Sequence, residues 1–284
     1  LFGRKIAMTF IEALNSQDLE KIRKFPKADL HNHFVLGGSR EYIFNKTGYK
    51  IKSITTPLKS MGEMDSWSSK YIGNHFNSPE GRKLLIEATF AQAKFDGVTV
   101  LEIGEDVWGL GEFFDNDIEK MIFCFQEANA RIAPEIELRL QIGLSRHCSV
   151  DYLMNCLSHF WGHKEFYSID LYGDELAQSI ANFIPIYDKA AENGLVLKAH
   201  VGEWGTAKDI ITAVELLHLN EVQHGIAAVQ DENVIEYLIE NNIRLNITPS
   251  SNVLLSRVSD MAHHPIAQLY HRGVDVTIGS DDVL

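Results

Sequence analysis

The sequence predicts an α/β fold, an eight-stranded TIM (β/α)8 barrel with a helical insertion after the first strand. Short apolar runs rich in β-branched residues recur eight times, and longer stretches with helical periodicity separate most of them. Strands that alternate with helices build a parallel sheet, and eight is the number of strands that closes into a barrel. An open doubly wound sheet is the alternative, but no G-x-G-x-x-G sequence follows an early strand, which counts against it.

The predicted strands follow from their composition, taken in chain order. They are residues 28–33, 98–103, 137–144, 167–173, 195–202, 221–226, 244–249 and 275–282. Between them, residues 116–132 and 231–243 have the periodicity of helices buried on one face. Residues 174–194 predict a helix that ends at Gly194 and is broken at Pro185, because proline lacks an amide donor.

We expect one domain that spans residues 1–284. An amphipathic pattern predicts an N-terminal helix within residues 1–25. Residues 34–97 separate the first two strands and are expected to hold several helices or a lid. No helical pattern follows the eighth strand, so the helix that normally closes such a barrel is expected to be absent from this sequence.

The charge and cysteine content narrow the functional classes. The net charge is −13, from 39 acidic and 26 basic residues, which disfavours binding to a nucleic acid backbone. No run of 18 apolar residues is present, so we expect no membrane partner. The three cysteines form no C-x-x-C pair and are odd in number, which predicts a reducing, cytoplasmic location. The oligomeric state is left open.

Two histidines, His31 and His33, lie two residues apart at the end of the first predicted strand. Side chains at i and i+2 of a strand point the same way, so both should face the mouth where barrels carry active sites. Imidazoles and carboxylates are the ligand types of a catalytic zinc site, although two histidines can also form a hydrogen bond in a core. Other candidate ligands end three further strands, namely His200, His224 and the pair Asp281 and Asp282.

The segments that carry these residues resemble, in order, motifs of the adenosine deaminase family of metal-dependent amidohydrolases. They are PKADLHNH (26–33), DLYGDE (170–175), HVGE (200–203), QHG (223–225), TPSSN (248–252), HP (264–265) and SDD (280–282). The resemblance extends over nearly the whole chain and implies one zinc ion, with another divalent metal as the alternative. The implied zinc ligands are His31, His33, His200 and Asp281.

The resemblance also implies catalytic roles. Glu203 would protonate a ring nitrogen of the substrate, which requires a raised pKa; its alternative is a carboxylate at a helix start. His224 would orient the water that attacks the ring carbon, and a core histidine is the alternative. Gly173 and Asp282 would hydrogen-bond the purine ring, with a turn glycine and a partner of a metal-bound histidine as the alternatives.

The sequence departs from the family pattern at Val35, where the family has an aspartate that holds a ribose hydroxyl. Loss of that acceptor should weaken nucleoside binding or shift the substrate preference. The hypothesis is therefore zinc-dependent hydrolytic deamination of a 6-aminopurine nucleoside (adenosine to inosine plus ammonia) or a closely related adenine compound. The alternatives are deamination of adenine or an adenine nucleotide, another hydrolysis on the same barrel, and a non-catalytic purine sensor or subunit of a larger assembly.

One further residue needs a partner. Lys198 lies two residues before His200 and should share its inward direction. A lysine inside a barrel is costly unless it is paired. We therefore expect a carboxylate beside it.

Overall fold

The computed structural model describes residues 8–282. Eight parallel strands pair in sequence order, which confirms the predicted barrel. A bridge between Asn32 and Asp281 brings the end of the last strand back to the first, and the Asp281 amide donates to the His31 carbonyl at 2.8 Å. The strands are β1 (Lys27–Asp29), β2 (Val98–Asp106), β3 (Glu137–Ser145), β4 (Phe166–Tyr172), β5 (Val196–Val201), β6 (Glu221–His224), β7 (Arg244–Ile247) and β8 (Val276–Ile278).

Helices surround the strands. They are α1 (Phe10–Asn15), α2 (Leu19–Arg23), α3 (Arg40–Thr47), α4 (Met61–Ser68), α5 (Asn74–Phe76), α6 (Pro79–Asp96), α7 (Gly109–Phe113), α8 (Ile118–Ile132), α9 (Val150–Leu157), α10 (Ile184–Glu192), α11 (Ala207–Leu217), α12 (Glu232–Glu240), α13 (Pro249–Leu254) and α14 (Ile266–Arg272). None of the described helices is long and apolar enough to cross a membrane.

The core lies between the barrel and this helical layer. Helix α8 buries Met121, Ile122, Phe125 and Ala128, an i, i+1, i+4, i+7 stripe, and packs beside α6. Each large apolar side chain buried in this way contributes roughly 1.5–3 kcal/mol. The repeated helix-on-strand packing fixes the strand ends, which position the site.

Residues 34–97 form the helical insertion that the sequence predicts. Its last helix, α6, is the crossover to β2: the Ser78 hydroxyl accepts the Gly81 amide at 3.0 Å at its start, and Gly97 ends it with φ 73°. The part of the insertion before α6 reaches the mouth of the barrel, where Met61 and Met64 of α4 line a cavity.

Two helix predictions are wrong in detail. The single helix predicted within residues 1–25 is two helices, α1 and α2, because Gln17 takes φ 52° and the Asp18 carboxylate caps a new helix through the Glu20 amide at 3.1 Å. The first seven residues lie outside the described part. The helix predicted over 174–194 begins near Pro185 instead of breaking there, because proline is favoured in a first turn.

Candidate metal and catalytic site

Four predicted site residues meet at the carboxyl end of the barrel. One ligand atom from each lies within 4.8 Å of all the others, and all four residues are buried: His31, His200, His224 and Asp281. His33 adjoins this group, because its Nε2 is 3.1 Å from His200 Nε2 and 3.5 Å from Asp281 Oδ1. The structure thus brings together the four predicted zinc ligands and His224.

The protons on two of these imidazoles follow from their partners. His31 Nδ1 lies 2.8 Å from the carbonyl oxygen of Asn246, which can only accept, so Nδ1 carries the hydrogen. His200 Nδ1 lies 3.2 Å from the carboxylate of Asp170, which assigns its hydrogen in the same way. In the neutral rings both Nε2 atoms then present lone pairs, and these face each other at 3.1 Å.

Such an arrangement requires a cation. The Asp281 carboxylate adds a third electron-rich group, 3.4 Å from His31 Nε2. A proton can serve only one pair of nitrogens, whereas a metal ion serves all of them at once. Zinc binds nitrogen and oxygen ligands at about 2 Å, so neighbouring ligand atoms around one ion lie roughly 3–3.5 Å apart, and four of the six separations among the Nε2 atoms of His31, His33 and His200 and Asp281 Oδ1 run from 3.1 to 3.5 Å. The donor set and its spacing fit zinc.

Two residues of the site hold unusual backbone conformations. His224 has φ 64° and Asp281 has φ 51°, both in the left-handed region. That conformation costs a non-glycine residue about 1–2 kcal/mol. Residues in this strained conformation cluster at active sites, where the backbone has to direct a side chain toward a ligand.

The loop after β5 carries Glu203 and is fixed by Glu175. The Glu175 carboxylate accepts four backbone amides of this loop, and its partners are Gly202 at 2.6 Å, Glu203 at 3.1 Å, Trp204 at 2.7 Å and Gly205 at 3.1 Å. Glu175 is buried. The loop conformation, and with it the position of Glu203, therefore depends on one acidic side chain from the segment after β4.

The Glu203 carboxyl is buried and points toward the imidazoles. Its Oε1 accepts a hydrogen bond from Asn252 Nδ2 at 2.8 Å, and its Oε2 is 3.5 Å from His224 Nε2. Asn252 is held in turn by His264, whose Nε2 lies 3.2 Å from Asn252 Oδ1. Burial, helped by the negative charge of Asp281, raises the pKa of Glu203 to about 8. The carboxyl therefore keeps a proton near neutral pH.

A cavity of about 580 Å³ opens beside this cluster. Asp282 lines it, and the buried Oδ1 of Asp282 has no hydrogen-bond partner among the described residues. Burial and the adjacent Asp281 raise the pKa of Asp282 well above its ordinary value. Gly173, with φ 87°, and Val35 also line the cavity. The predicted substrate residues and the departure from the family pattern thus share one chamber.

Sequence reasoning missed several residues that hold the cluster. Asp170 and the Asn246 carbonyl orient the two imidazoles described above. Thr248 Oγ1 lies 3.0 Å from His224 Nδ1 and donates to Asp281 Oδ2 at 3.1 Å. Asp170 and Thr248 stand inside the DLYGDE and TPSSN segments, so the signal was present without an assigned role.

The carboxylate partner expected for Lys198 is present. Its Nζ lies 2.7 Å from Glu102 Oε1 and 2.9 Å from Glu221 Oε2, below the cluster of imidazoles. We call Lys198, Glu102 and Glu221 the charged floor of the barrel. Asn246 Nδ2 donates to Glu221 at 2.7 Å, and the main-chain carbonyl of the same Asn246 orients His31, so the floor is connected to the site.

Comparison with known proteins places the chain in a family. Residues 110–284 match the family model described as "Adenosine deaminase". A putative adenosine/adenine deaminase of Treponema pallidum is 31% identical over 268 residues, which cover 94% of this chain and 89% of that protein. An adenine deaminase of Vibrio parahaemolyticus is 36% identical over 288 residues, covering 92% and 81%.

The fold has relatives among solved structures. An amidohydrolase from Burkholderia ambifaria with bound Zn superposes with a TM-score of 0.73 at 19% identity, over 98% of this chain and 79% of that one. The family model and the Treponema relative each extend over more than half of the described barrel. This chain therefore belongs to the adenosine deaminase family.

Proposed function

We propose that this chain catalyses the zinc-dependent hydrolytic deamination of a 6-aminopurine, giving the 6-oxopurine and ammonia. The observation that carries the proposal is the buried Glu203 carboxyl, whose pKa is raised to about 8, beside a cluster of imidazoles and a carboxylate that suits a metal ion. Relatives described as adenosine/adenine and adenine deaminases support it. Adenosine, adenine and adenine nucleotides are the candidate substrates.

The proposed zinc ligands are His31, His33, His200 and Asp281. A zinc ion held there would acidify a coordinated water, which is the chemistry that supplies a nucleophile near neutral pH. Within the chain, the Asn246 carbonyl and the Asp170 carboxylate hold the Nδ1 hydrogens and keep the Nε2 lone pairs directed at the site.

Glu203 is the proposed proton donor. Addition of water at the carbon that carries the amino group pushes electron density onto the adjacent ring nitrogen, which has to be protonated. A carboxyl with a pKa near 8 holds the needed proton at neutral pH and can release it to a nitrogen that becomes basic. The hydrogen bond from Asn252 to Oε1 leaves Oε2 as the atom that carries the proton.

His224 is the proposed residue that orients the water. Its Nδ1 lies 3.0 Å from Thr248 Oγ1 and 3.2 Å from Asn252 Nδ2, so Nδ1 is occupied and Nε2 is the ring nitrogen left for the water. Nε2 lies on the side of Glu203, at 3.5 Å. Nε2 can therefore hydrogen-bond the attacking water and fix the direction of attack.

Gly173 and Asp282 are the proposed contacts to the purine ring. The unpartnered Asp282 Oδ1 and the raised pKa of its carboxyl suit a group that exchanges a hydrogen bond with a ring nitrogen. A glycine with φ 87° brings backbone close to a flat ligand with no side chain in the way. The proposed partner of the chain is thus a small purine.

The first test is ammonia release by zinc-loaded protein with adenosine, adenine, an adenine nucleotide and a non-purine amide. We expect turnover of at least one 6-aminopurine and none of the amide. Glu203→Gln should lower kcat by about 10²–10⁴-fold, the usual contribution of a general acid, while zinc content and ligand affinity remain. Glu236→Gln, at an exposed position of α12, is the matched control.

The purine sensor is the rival interpretation. A sensor would bind a purine with measurable affinity and release no ammonia, and Glu203→Gln would change its behaviour little. If the zinc-loaded protein released no ammonia from any compound of the panel, the proposed function would therefore be contradicted.

A further inference from the structure

The order of strands around the barrel fixes which wall faces the far edge of a bound purine. Under the proposed function, Glu203 after β5 contacts N1 and C6 faces the metal ligands after β1, β5 and β8, so Gly173 after β4 falls beside N3 and Asp282 after β8 falls beside N7. On the purine perimeter, N9 lies between N3 and N7 and opposite the reacting edge. Because the strands are adjacent in the order β8, β1, β2, β3, β4, the N9 edge faces the ends of β1, β2 and β3.

That arc contains a buried carboxylate with no role so far. Asp106 ends β2, is 4% exposed and lines the cavity together with Ser145 at the end of β3 and Val35. One oxygen of Asp106 accepts the Ser145 hydroxyl, and Oδ1 accepts the Trp108 amide at 3.3 Å. A carboxylate has about four lone-pair positions, so it can accept further donors from a ligand.

The arc is continuous with the proposed ring-binding residue. In the sheet, Asp106 pairs with Gly143 on β3, and Ser145 pairs with Tyr172, the residue before Gly173. Asp106 is buried, and this burial raises the pKa of its carboxyl to about 7. A polar side chain kept in such a place and open to the cavity is suited to meet a ligand.

Among the described residues that line the cavity, no arginine or lysine is left unpaired to bind a phosphate. Arg82 is the only arginine or lysine among the described residues that line the cavity. Its guanidinium is engaged by the Glu105 carboxylate through two hydrogen bonds, at 2.9 and 2.6 Å. The positive charge of Arg82 is thus neutralised, and the carboxylates of this wall repel an anion.

We propose that Asp106 is a specificity residue that accepts a hydrogen bond from a donor at the N9 edge of the substrate, and that this wall excludes nucleotides. The donor is either N9–H of a free base or a hydroxyl of a ribose on N9. This inference rests on the proposed function. It also supplies an acceptor on the arc where Val35 has replaced the aspartate of the family pattern.

The test is substrate discrimination by Asp106→Ala, with Asp188→Ala, an exposed position of α10, as the control. The probes are adenine, adenosine, AMP and 9-methyladenine, which lacks both donors. A hydrogen bond to a charged acceptor is worth about 10–100-fold in kcat/KM, so the assays are run between the pKa of Asp106, about 7, and that of Glu203, about 8. We expect Asp106→Ala to lower kcat/KM by this factor for the preferred substrate and by less than about threefold for 9-methyladenine, with zinc content unchanged.

The two donor sources give different patterns. If Asp106 accepts a hydrogen bond from N9–H, the wild type prefers adenine to 9-methyladenine and the variant loses that preference. If Asp106 accepts a hydrogen bond from a ribose hydroxyl, the wild type prefers adenosine to 9-methyladenine and the variant loses that preference instead. AMP is the poorest substrate of the wild type in either case.

Three outcomes would overturn the inference: an equal loss for every purine, an unchanged preference in Asp106→Ala, or AMP as the best substrate. Asp106→Leu, which is close in shape and has no acceptor, replaces the alanine variant if that variant does not fold. Equilibrium binding of adenine, adenosine and 9-methyladenine to the zinc-loaded chain gives the same comparison without turnover. A chain that deaminates nothing but discriminates through Asp106 would refute the proposed function alone.

Discussion

The charged floor of the barrel makes the strongest prediction about stability. Lys198 is fully buried, between Glu102 Oε1 at 2.7 Å and Glu221 Oε2 at 2.9 Å. Burial by itself lowers the pKa of Lys198, but the two carboxylates outweigh it and raise the pKa, so the lysine is charged. Lys198→Met leaves two buried carboxylates without their counter-ion, which should cost about 3–5 kcal/mol of unfolding free energy.

Thermal and urea unfolding measure this loss. For a chain of this size, a loss of 3–5 kcal/mol corresponds to a fall in Tm of roughly 6–10 °C. The control is Lys189→Met on α10, because Lys189 is half-exposed and its Nζ lies 3.6 Å from Glu192; it should change stability by less than about 1 kcal/mol. Neutralising both carboxylates as well, in Lys198→Met/Glu102→Gln/Glu221→Gln, should recover at least half of the loss. A single variant as stable as the wild type would refute the reasoning.

Three further predictions concern the site. Glu203 is protonated below its pKa of about 8, and a bound dication lowers that pKa further. The kcat should therefore fall as pH rises, with a midpoint at or below about 8. A flat profile from pH 6 to 10 would contradict the role assigned to Glu203. Removal of metal by a chelator should lower Tm and added zinc should restore it, because the facing imidazole nitrogens lose their cation; His200→Ala should show no response to zinc. Gly173→Ala places alanine at φ 87° and should cost about 1 kcal/mol and raise KM, whereas Gly194→Ala, at φ 75° after α10, should cost the same stability with KM unchanged; equal KM values would remove Gly173 from the site.

The barrel could be predicted because each strand is a compact apolar run. All eight predicted runs overlap observed strands in the right order. The first was predicted to continue to residue 33 but ends at Asp29, because the Asp29 carboxylate accepts the Ser280 amide at 3.1 Å and so binds the segment after β8. A contact between residues so far apart in the chain has no local sequence signal.

The site could be predicted in its ligand types and much less in its support. His31, His200 and Asp281 stand at strand ends that the apolar pattern reveals. The groups that orient them include a main-chain carbonyl, that of Asn246, and every residue has a carbonyl, so no side-chain pattern marks it. Asp106 also escaped notice, because its strand was predicted to end at residue 103 and its importance depends on the order of strands around the barrel.

Glu175 and Glu203 show how position separates two chemically identical side chains. Glu175 accepts hydrogen bonds from four backbone amides of the loop after β5, so its role is to hold that loop. Glu203 receives a single side-chain donor, from Asn252, and lies buried near the negative Asp281, which favours the protonated acid. The first glutamate thus holds the loop on which the second performs its chemistry.

Glu175→Gln tests this dependence. The substitution replaces one acceptor oxygen with an amide group that faces backbone donors, so the loop after β5 loses charge-assisted hydrogen bonds worth about 1.5–3 kcal/mol. Because Glu203 lies on that loop, we expect kcat to fall by about tenfold or more with zinc content unchanged, and Glu236→Gln to have no such effect. Full activity in Glu175→Gln would mean that the loop keeps its shape without the carboxylate, and that the aim of Glu203 comes from Asn252 alone.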